Sequence, residues 1–217
     1  MIGAHYGAVA GTVGADDNAS GVAALFALAE RTCASKPRRT VRCVAVANEE
    51  PPHFQTEDMG SIVYARACRA NGDDIVAMRS FDGIGSYSDG EDTQHYPSVL
   101  GRAYPSRGTF SEFVGNPSSR ALVHRVVGAF RESANVPSEG AVLPAALLGV
   151  GWSDHWSFWQ CGYPALEITD TLPFRYAHDH RASDTPDRLD YVAMARVVGG
   201  AEAVLRPRRL LKRSPPA

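Results

Sequence analysis

The fold prediction rests on the stretch VRCVAVANEE, residues 41–50. Residues 41–47 are nearly all apolar, a pattern that predicts a strand buried on both faces. Two acidic residues, Glu49 and Glu50, follow this strand. Active sites of open α/β sheets lie at the carboxyl ends of the strands, so this pair of carboxylates predicts a functional site at that edge.

Strands and helices alternate on both sides of this stretch. The predicted strands are 1–5, 41–47, 75–81, 109–114 (an exposed strand), 139–143 and 164–169. The predicted helices are a first one, apolar at 22–29 and ending before residue 36, and four more at 61–70, 118–133, 153–160 and 190–205. Residues 83–107 are predicted to form a long surface loop. The alternation predicts an α/β fold, a three-layer α/β/α sandwich with a mainly parallel central sheet.

Composition limits the class of protein. A chain of 217 residues that is 44% hydrophobic can bury one core, so we expect a single domain over 1–205 and a basic, disordered tail over 206–217. A net charge of -2 and the lack of a long apolar run predict neither a nucleic-acid partner nor a membrane span. The four cysteines lie far apart and are predicted to be buried small residues rather than disulfide or zinc ligands.

Acidic and imidazole side chains stand at the ends of the predicted strands. His5 ends the first strand, and Asp82 follows the third. Asp17 lies in the loop after the first strand, just before a helix begins. Because the carboxyl ends of parallel strands share one edge, these groups converge with Glu49 and Glu50. Converging carboxylates destabilise a fold unless a cation is present, and a divalent metal ion resolves that conflict.

The loop at 177–180 can supply further imidazole ligands, from His178 or His180. One His and one or two carboxylates per ion, with an open position for water, suit catalytic zinc. Two ions about 3.5–4 Å apart that share a carboxylate need about five ligands. The candidate ligands are His5, Asp17, Glu50, Asp82 and His180.

Several motifs in order along residues 1–205 resemble the co-catalytic dizinc exopeptidases of the twenty-eighth metallopeptidase family. That family includes bacterial leucyl aminopeptidases and, more distantly, glutamate carboxypeptidase and glutaminyl cyclase. The motifs are Gly3-Ala4-His5-Tyr6, Gly14-Ala15-Asp16-Asp17-Asn18-Ala19-Ser20-Gly21, Asn48-Glu49-Glu50, Gly60-Ser61, Ser153-Asp154-His155, Gly162-Tyr163-Pro164-Ala165, and His180 with Asp184-Thr185-Pro186-Asp187.

The resemblance implies a role for each candidate. Asp17 would bridge two Zn²⁺ ions per chain, with a cis peptide bond to Asn18. His5 and Asp82 would complete one ion, and Glu50 and His180 the other. Glu49 would be the general base. The spacing to the last motif favours His180 over His178.

The chain departs from the family pattern at Gly7, where the family has an Asp that orients the first histidine. Loss of such a partner typically costs about 10–100-fold in metal affinity or activity. Asp16 or a water is expected to substitute. Relatives also carry further strands and a helix before this histidine. No signal peptide is present, so the chain as it stands is expected to be cytoplasmic, or secreted if an upstream N-terminus is missing.

Four more residues are assigned to the surroundings of the site. Ser153 is predicted to cap a helix, because 151–155 is not the G-x-S-x-G elbow of a serine hydrolase. Asp154 is predicted to contact the metal-ligating side chains without binding the metal itself. Trp152 and Phe174 are expected to flank the substrate pocket.

The leading functional hypothesis is a zinc aminopeptidase that hydrolyses N-terminal residues of peptides. No Arg can be placed in the site to bind a substrate carboxylate, which favours an aminopeptidase over a carboxypeptidase. One alternative is a glutaminyl cyclase, which uses a single zinc held by one Asp, one Glu and one His. The other is a non-catalytic member of the family that serves as a binding or scaffold domain.

Overall fold

Six strands form one sheet in the computed structural model, which describes residues 1–35, 37, 39–97, 100, 101 and 103–205. The strands are β1 (Ile2–His5), β2 (Cys43–Val46), β3 (Met78–Phe81), β4 (Ser111–Gly115), β5 (Ser138–Val142) and β6 (Ala165–Thr169). Their order in the sheet is β2-β1-β3-β6-β4-β5. Every neighbouring pair is parallel except β4 and β6, which run antiparallel.

Helices cover both faces of this sheet. They are α1 (Gly21–Ser35), α2 (Gly60–Ala70), α3 (Arg120–Ser133), α4 (His155–Gln160) and α5 (Tyr191–Leu205). The larger apolar core lies between the sheet and α1, α3 and α5, and a smaller one lies under α2 and α4. The predicted three-layer α/β/α sandwich with a mainly parallel sheet is confirmed. None of the described helices is long and apolar enough to cross a membrane.

The larger core depends on apolar residues at helical and strand periods. In α3 the buried residues recur on one face and end at Phe130. Phe113 of β4 meets Phe130 edge-on, with ring centroids 4.8 Å apart. Leu166 and Ile168 of β6 point to the same core and are fully buried. Their alternation leaves the intervening residues of β6 to the opposite face of the sheet.

The prediction that residues 41–47 form a strand buried on both faces is wrong. β2 lies at the edge of the sheet and pairs with β1. Of its residues only Val46 is buried, whereas Cys43 and Ala45 are exposed. Ala and Cys side chains are small, so an apolar run made of them exposes little area at an edge.

The prediction of an exposed strand at 109–114 is also wrong, because all five residues of β4 are buried between β6 and β5. The predicted Ser153 cap is absent: α4 begins at His155, and the Ser153 hydroxyl lies 3.2 Å from that of Ser80. All four thiols are free as expected, but Cys33 and Cys43 are exposed. The predicted tail at 206–217 lies outside the described residues, and the domain division stays a prediction.

Gly60 joins α2 to the segment that carries the acidic pair. Its N–H donates to the carbonyl of Ala47 at 2.9 Å. A Cβ at this position would lie 2.5 Å from the same carbonyl oxygen and 2.8 Å from the Ala47 nitrogen. Only a residue without a side chain fits this close contact.

We expect Gly60→Ala to lower the free energy of unfolding by roughly 1–3 kcal/mol, because backbone atoms must separate to admit the methyl group. Gly128→Ala in α3 is the matched control, since a Cβ there meets nothing within 4 Å. It should raise the free energy of unfolding by about 0.5–1 kcal/mol. Urea denaturation measures both. Equal stability of Gly60→Ala and the unsubstituted protein would contradict the close contact.

Candidate functional site

The parallel strands bring the predicted residues to one edge of the sheet. His5 is the last residue of β1, and Asp82 follows directly after β3. Glu49 and Glu50 follow β2 by a few residues. All four side chains are buried. The sequence predicted that these side chains converge because each follows a parallel strand, and the structure brings them together at one edge of the sheet.

Asp17 reaches this edge from the irregular helical turn Ala15–Ser20 that precedes α1. Its peptide bond to Asn18 is cis, as the resemblance implied. The Asp184 carboxylate accepts the N–H groups of Asp16 at 2.9 Å and of Asp17 at 3.2 Å. On the other side, the Asn18 amide donates to the carbonyl of Phe81 at 2.8 Å. These bonds fix Asp17 beside the end of β3.

The carboxylate of Asp17 lies between two imidazoles. Its Oδ1 is 3.4 Å from Nε2 of His5, and its Oδ2 is 3.0 Å from Nε2 of His180. The same atom of His5 is 3.2 Å from Oδ1 of Asp82. The same atom of His180 is 3.3 Å from Oε2 of Glu50. The five predicted ligands thus form two groups that share Asp17.

His178 does not belong to this cluster. Its Nδ1 lies 2.9 Å from the Ser183 hydroxyl, and its ring stands edge-on to that of Tyr176. Of the two histidines that the sequence left open, the structure brings His180 to Asp17. Asp179, next to His180, was not among the predicted site residues. Ligand atoms of Asp17, Asp179 and His180 lie within 4.8 Å of one another, a spacing that one metal ion could bridge.

The carboxylates around His5 and His180 favour the protonated forms of both imidazoles. Burial alone lowers the pKa of His5, but the charge of Asp82 and the hydrogen bonds with Asp17 outweigh it and raise that pKa well above its usual value. Hydrogen bonds with Asp17 and Glu50 raise the pKa of His180 to about 11. Burial opposes the change at Asp17, yet both imidazoles lower its pKa below the usual range. Metal binding must therefore release protons from the histidines.

The donor atoms fit a divalent metal ion. Ligand atoms of His5, Asp17 and Glu50 lie within 4.8 Å of one another. The Oε1 atom of Glu50 is buried without a hydrogen-bond partner among the described residues. Burial raises the pKa of Glu50, because the interior disfavours its charged form. Imidazole nitrogen and carboxylate oxygen are ligands that zinc accepts.

A backbone carbonyl replaces the Asp that the family has after the first histidine. The Nδ1 atom of His5 lies 3.1 Å from the carbonyl oxygen of Gly7, so this nitrogen donates and Nε2 faces Asp17 and Asp82. Asp16, one of the two expected substitutes, does not take this place. Its carboxylate accepts the N–H of Gly85 at 2.8 Å instead.

Glu49 and Asp154 lie on the side of the cluster nearest His5. Glu49 Oε2 is 3.8 Å from Nε2 of His5. Burial raises the pKa of Glu49, and the charges of Asp82 and Asp154 add to the effect. Asp154 is fully buried, and burial raises its pKa to about 6. Both carboxyls therefore bind a proton more readily than exposed ones.

A pocket of about 430 Å³ opens beside the cluster. Trp152 and Phe174 stack in its wall, with ring centroids 6.4 Å apart and an interplanar angle of 16°. The other apolar lining side chains include Phe54, Leu100, Val114, Leu143 and Leu148. The predicted position of Trp152 and Phe174 beside the site agrees with this geometry.

Two acidic residues of the pocket, Glu112 and Glu167, were missed by the sequence analysis. They lie on β4 and β6 and face the pocket. A signal was present, since Glu167 interrupts the apolar strand between Leu166 and Ile168. An acid inside a buried strand needs a partner or a ligand.

The chain belongs to peptidase family M28, whose family model matches residues 1–204. The resemblance drawn from the sequence motifs is thereby confirmed. In Escherichia coli K12, the protein named "Uncharacterized protein YfbL" is 37% identical over 214 residues, covering 94% of this chain and 65% of that protein. A "Probable zinc metalloprotease" of Pyrenophora teres f. teres is 29% identical over 193 residues, covering 82% of this chain and 38% of that protein.

Solved structures share the fold. LapB from Legionella pneumophila has a TM-score of 0.72 at 19% identity, covering 94% of this chain and 50% of LapB. An aminopeptidase from Aneurinibacillus sp. strain AM-1 has a TM-score of 0.65 at 24% identity, covering 97% and 44%. A glutaminyl cyclase from Tannerella forsythia has a TM-score of 0.64 at 19% identity, covering 96% and 73%. The chain thus spans about half the length of LapB and of the Aneurinibacillus aminopeptidase.

We expect Gly7→Asp to tighten zinc binding about 10-fold, because a carboxylate orients an imidazole more strongly than a carbonyl does. The structure has room for the change, since a Cβ at Gly7 meets nothing within 4 Å. Gly7→Asn is the matched control, with the same size and no charge, and should gain less. Competition with a chromophoric zinc chelator measures the affinities. Equal affinity of Gly7→Asp and the unsubstituted protein would show that the carbonyl already orients His5 fully.

Proposed function

We propose that the chain is the catalytic part of a zinc-dependent aminopeptidase that removes N-terminal residues from peptides. The observation that carries the proposal is the position of Asp17, with one carboxylate oxygen directed to His5 and the other to His180. Membership of peptidase family M28 supports hydrolysis of peptide bonds. The names of the zinc metalloprotease relative and of the aminopeptidase structure support zinc and the aminopeptidase class.

Two zinc ions would share Asp17 in this proposal. His5 and Asp82 would hold one ion, because both lie on the side of Asp17 Oδ1. Glu50 and His180 would hold the other, on the side of Oδ2. Zinc in such a site polarises the scissile carbonyl and lowers the pKa of water.

Glu49 would move the protons of the reaction. Its carboxylate takes a proton from the attacking water as the water oxygen forms a bond with the carbonyl carbon. It then gives that proton to the nitrogen of the leaving amine as the C–N bond breaks. Burial raises the pKa of Glu49, which makes its carboxylate a stronger base than an exposed one.

The charge of the pocket favours a substrate amine over a substrate carboxylate. Among the described residues that line the pocket, none is Lys or Arg. Asp179 lies beside His180 in the lining, and burial raises its pKa to about 7. A free α-amine is attracted to such a site, whereas the α-carboxylate of a carboxypeptidase substrate meets no Lys or Arg among the described lining residues.

The two alternatives have less support. A glutaminyl cyclase needs one zinc with one Asp, one Glu and one His, and the contact of His5 with Asp82 adds ligands for a second ion. The non-catalytic alternative has the departure from the family pattern at Gly7 in its favour, but the carbonyl of Gly7 contacts His5 in place of the missing Asp.

Adjacent substitutions test the division of roles. We expect Glu49→Gln to lower kcat for an aminoacyl 4-nitroanilide about 10²–10⁴-fold, because the general base is lost, and to leave the zinc content unchanged. Glu50→Gln, the matched variant one residue away, should lower the zinc content itself. The absorbance of released 4-nitroaniline at a fixed zinc concentration measures kcat, and elemental analysis of the same samples measures the zinc content. Full hydrolysis by zinc-loaded Glu49→Gln would rule out Glu49 as the base.

A further inference from the structure

We infer that Glu112 and Glu167 make the pocket selective for peptides whose N-terminal residue has a cationic side chain, lysine or arginine. The inference deepens the proposed aminopeptidase function and rests on it. What carries it is a pair of buried carboxylates on the pocket floor whose charge nothing in the described structure neutralises by direct contact.

The floor of the pocket is the face of the sheet itself. β4 and β6 are neighbours, and the register pairs Glu112 with Thr169 and Val114 with Glu167. All four of these residues line the pocket. Because side chains alternate along a strand, the intervening Phe113 faces the apolar core on the other side. The two carboxylates therefore share one face and one cavity.

Both acids are more than nine-tenths buried. Glu112 is 8% exposed and Glu167 is 7% exposed. Within the described part of the chain, the structure gives the Glu112 side chain no hydrogen bond and no ion pair. Burial raises the pKa of Glu112 to about 7, and burial together with the charges of Asp82 and Glu112 raises that of Glu167 well above its usual value. Burial thus disfavours the charged form of both acids unless a cation binds beside them.

His155 does not neutralise Glu167. Its Nδ1 is 3.9 Å from Oε2 of Glu167, beyond hydrogen-bond distance. Its Nε2 lies 2.8 Å from the carbonyl of Val150 and donates to it. Burial lowers the pKa of His155 to about 4, so the ring is neutral at pH 7 and its Nδ1 carries no proton.

Arg175 acts electrostatically on Glu112, but its hydrogen bonds go to other groups. Its Nε donates to Oε1 of Gln94 at 2.7 Å, and its Nη1 donates to the carbonyls of Ser86 and Phe110. Its guanidinium carbon also lies 4.6 Å from the centroid of the Phe110 ring. Arg175 attracts Glu112 without contact, and the pKa of Glu112 stays raised despite it.

A lysine or arginine side chain fits what this pocket offers. Its methylene stem suits the apolar wall of Leu148, Trp152 and Phe174, and its charged end suits the acids on the floor. A neutral side chain would leave both carboxylates desolvated without a partner, which is costly. Neither acid belongs to a group of metal-ligand spacing among the described residues, so an organic cation is favoured over a metal ion.

The distance from the metal ligands also suits these side chains. Phe81 of β3 pairs with Ile168 of β6, so Asp82 is level with Thr169 and, across the next pair, with Glu112. Two strand spacings separate Asp82 from Glu112, about 10 Å between backbones. If the scissile bond of a substrate lies beside Asp82, a lysine or arginine side chain is long enough to extend toward β4. The Glu112 side chain extends from β4 into the same pocket, so the two charged groups can come into contact.

Neutral isosteres give the sharpest test. Aminoacyl 4-nitroanilides of arginine and citrulline, and of lysine and norleucine, differ in charge with little change in size. We expect the zinc-loaded protein to show kcat/KM at least 10-fold higher for the charged member of each pair. Glu112→Gln and Glu167→Gln should each lower the arginine-to-citrulline ratio at least 10-fold. Glu30→Gln, on the exposed surface of α1 across the sheet, should keep the ratio.

The outcomes separate the two proposals. If citrulline and norleucine substrates are cleaved as well as the charged ones, the selectivity inference is overturned and the aminopeptidase proposal stands. If no aminoacyl anilide is cleaved, the aminopeptidase proposal fails, and calorimetric binding of arginine amide against citrulline amide to the zinc-loaded protein decides the inference. Equal binding overturns it. Tighter binding of arginine amide that is lost in folded Glu112→Gln, as judged by circular dichroism, supports it.

Discussion

The site depends on Asp17, whose carboxylate lies 3.4 Å from one imidazole and 3.0 Å from another. The neighbouring residues hold that carboxylate between two groups of candidate metal ligands, which come from different strands and loops. Asp184 binds the backbone of its turn, and Asn18 binds the end of β3. Among the described residues, the positive charge in direct contact with this carboxylate comes from the protonated forms of His5 and His180, and zinc would replace those protons. Zinc binding should therefore stabilise the fold as well as complete the site.

The sheet gives the site its two distinct environments. The carboxyl ends of β1 and β3 carry His5 and Asp82, where polar groups converge on the ligands. One face of β4 and β6 forms the floor of the adjoining pocket. The antiparallel pairing of β4 with β6 is what brings Glu112 level with the metal ligands. In the proposed function, metal chemistry and side-chain selection would thus lie on one continuous face, where one substrate would contact both.

Much of the fold, and the grouping of the candidate metal ligands, could be predicted from the sequence. The alternation of strand and helix patterns along the sequence predicted the three layers. His5, Glu50 and Asp82 were predicted to converge because each follows a strand, and the carboxyl ends of parallel strands share one edge of the sheet. What could not be predicted depends on tertiary position. An apolar run does not reveal whether its strand is central or at an edge, so β2 and β4 were assigned the wrong burial. The carbonyl of Gly7 has no signature in the sequence, since every residue has one.

Anomalous diffraction at the zinc edge, from crystals grown with zinc, tests the proposed arrangement of metal ions around Asp17 most directly. We expect two peaks about 3.5–4 Å apart, one on each side of the Asp17 carboxylate, with His5 and Asp82 at one and Glu50 and His180 at the other. A single peak, or two peaks that do not share Asp17, would contradict the account.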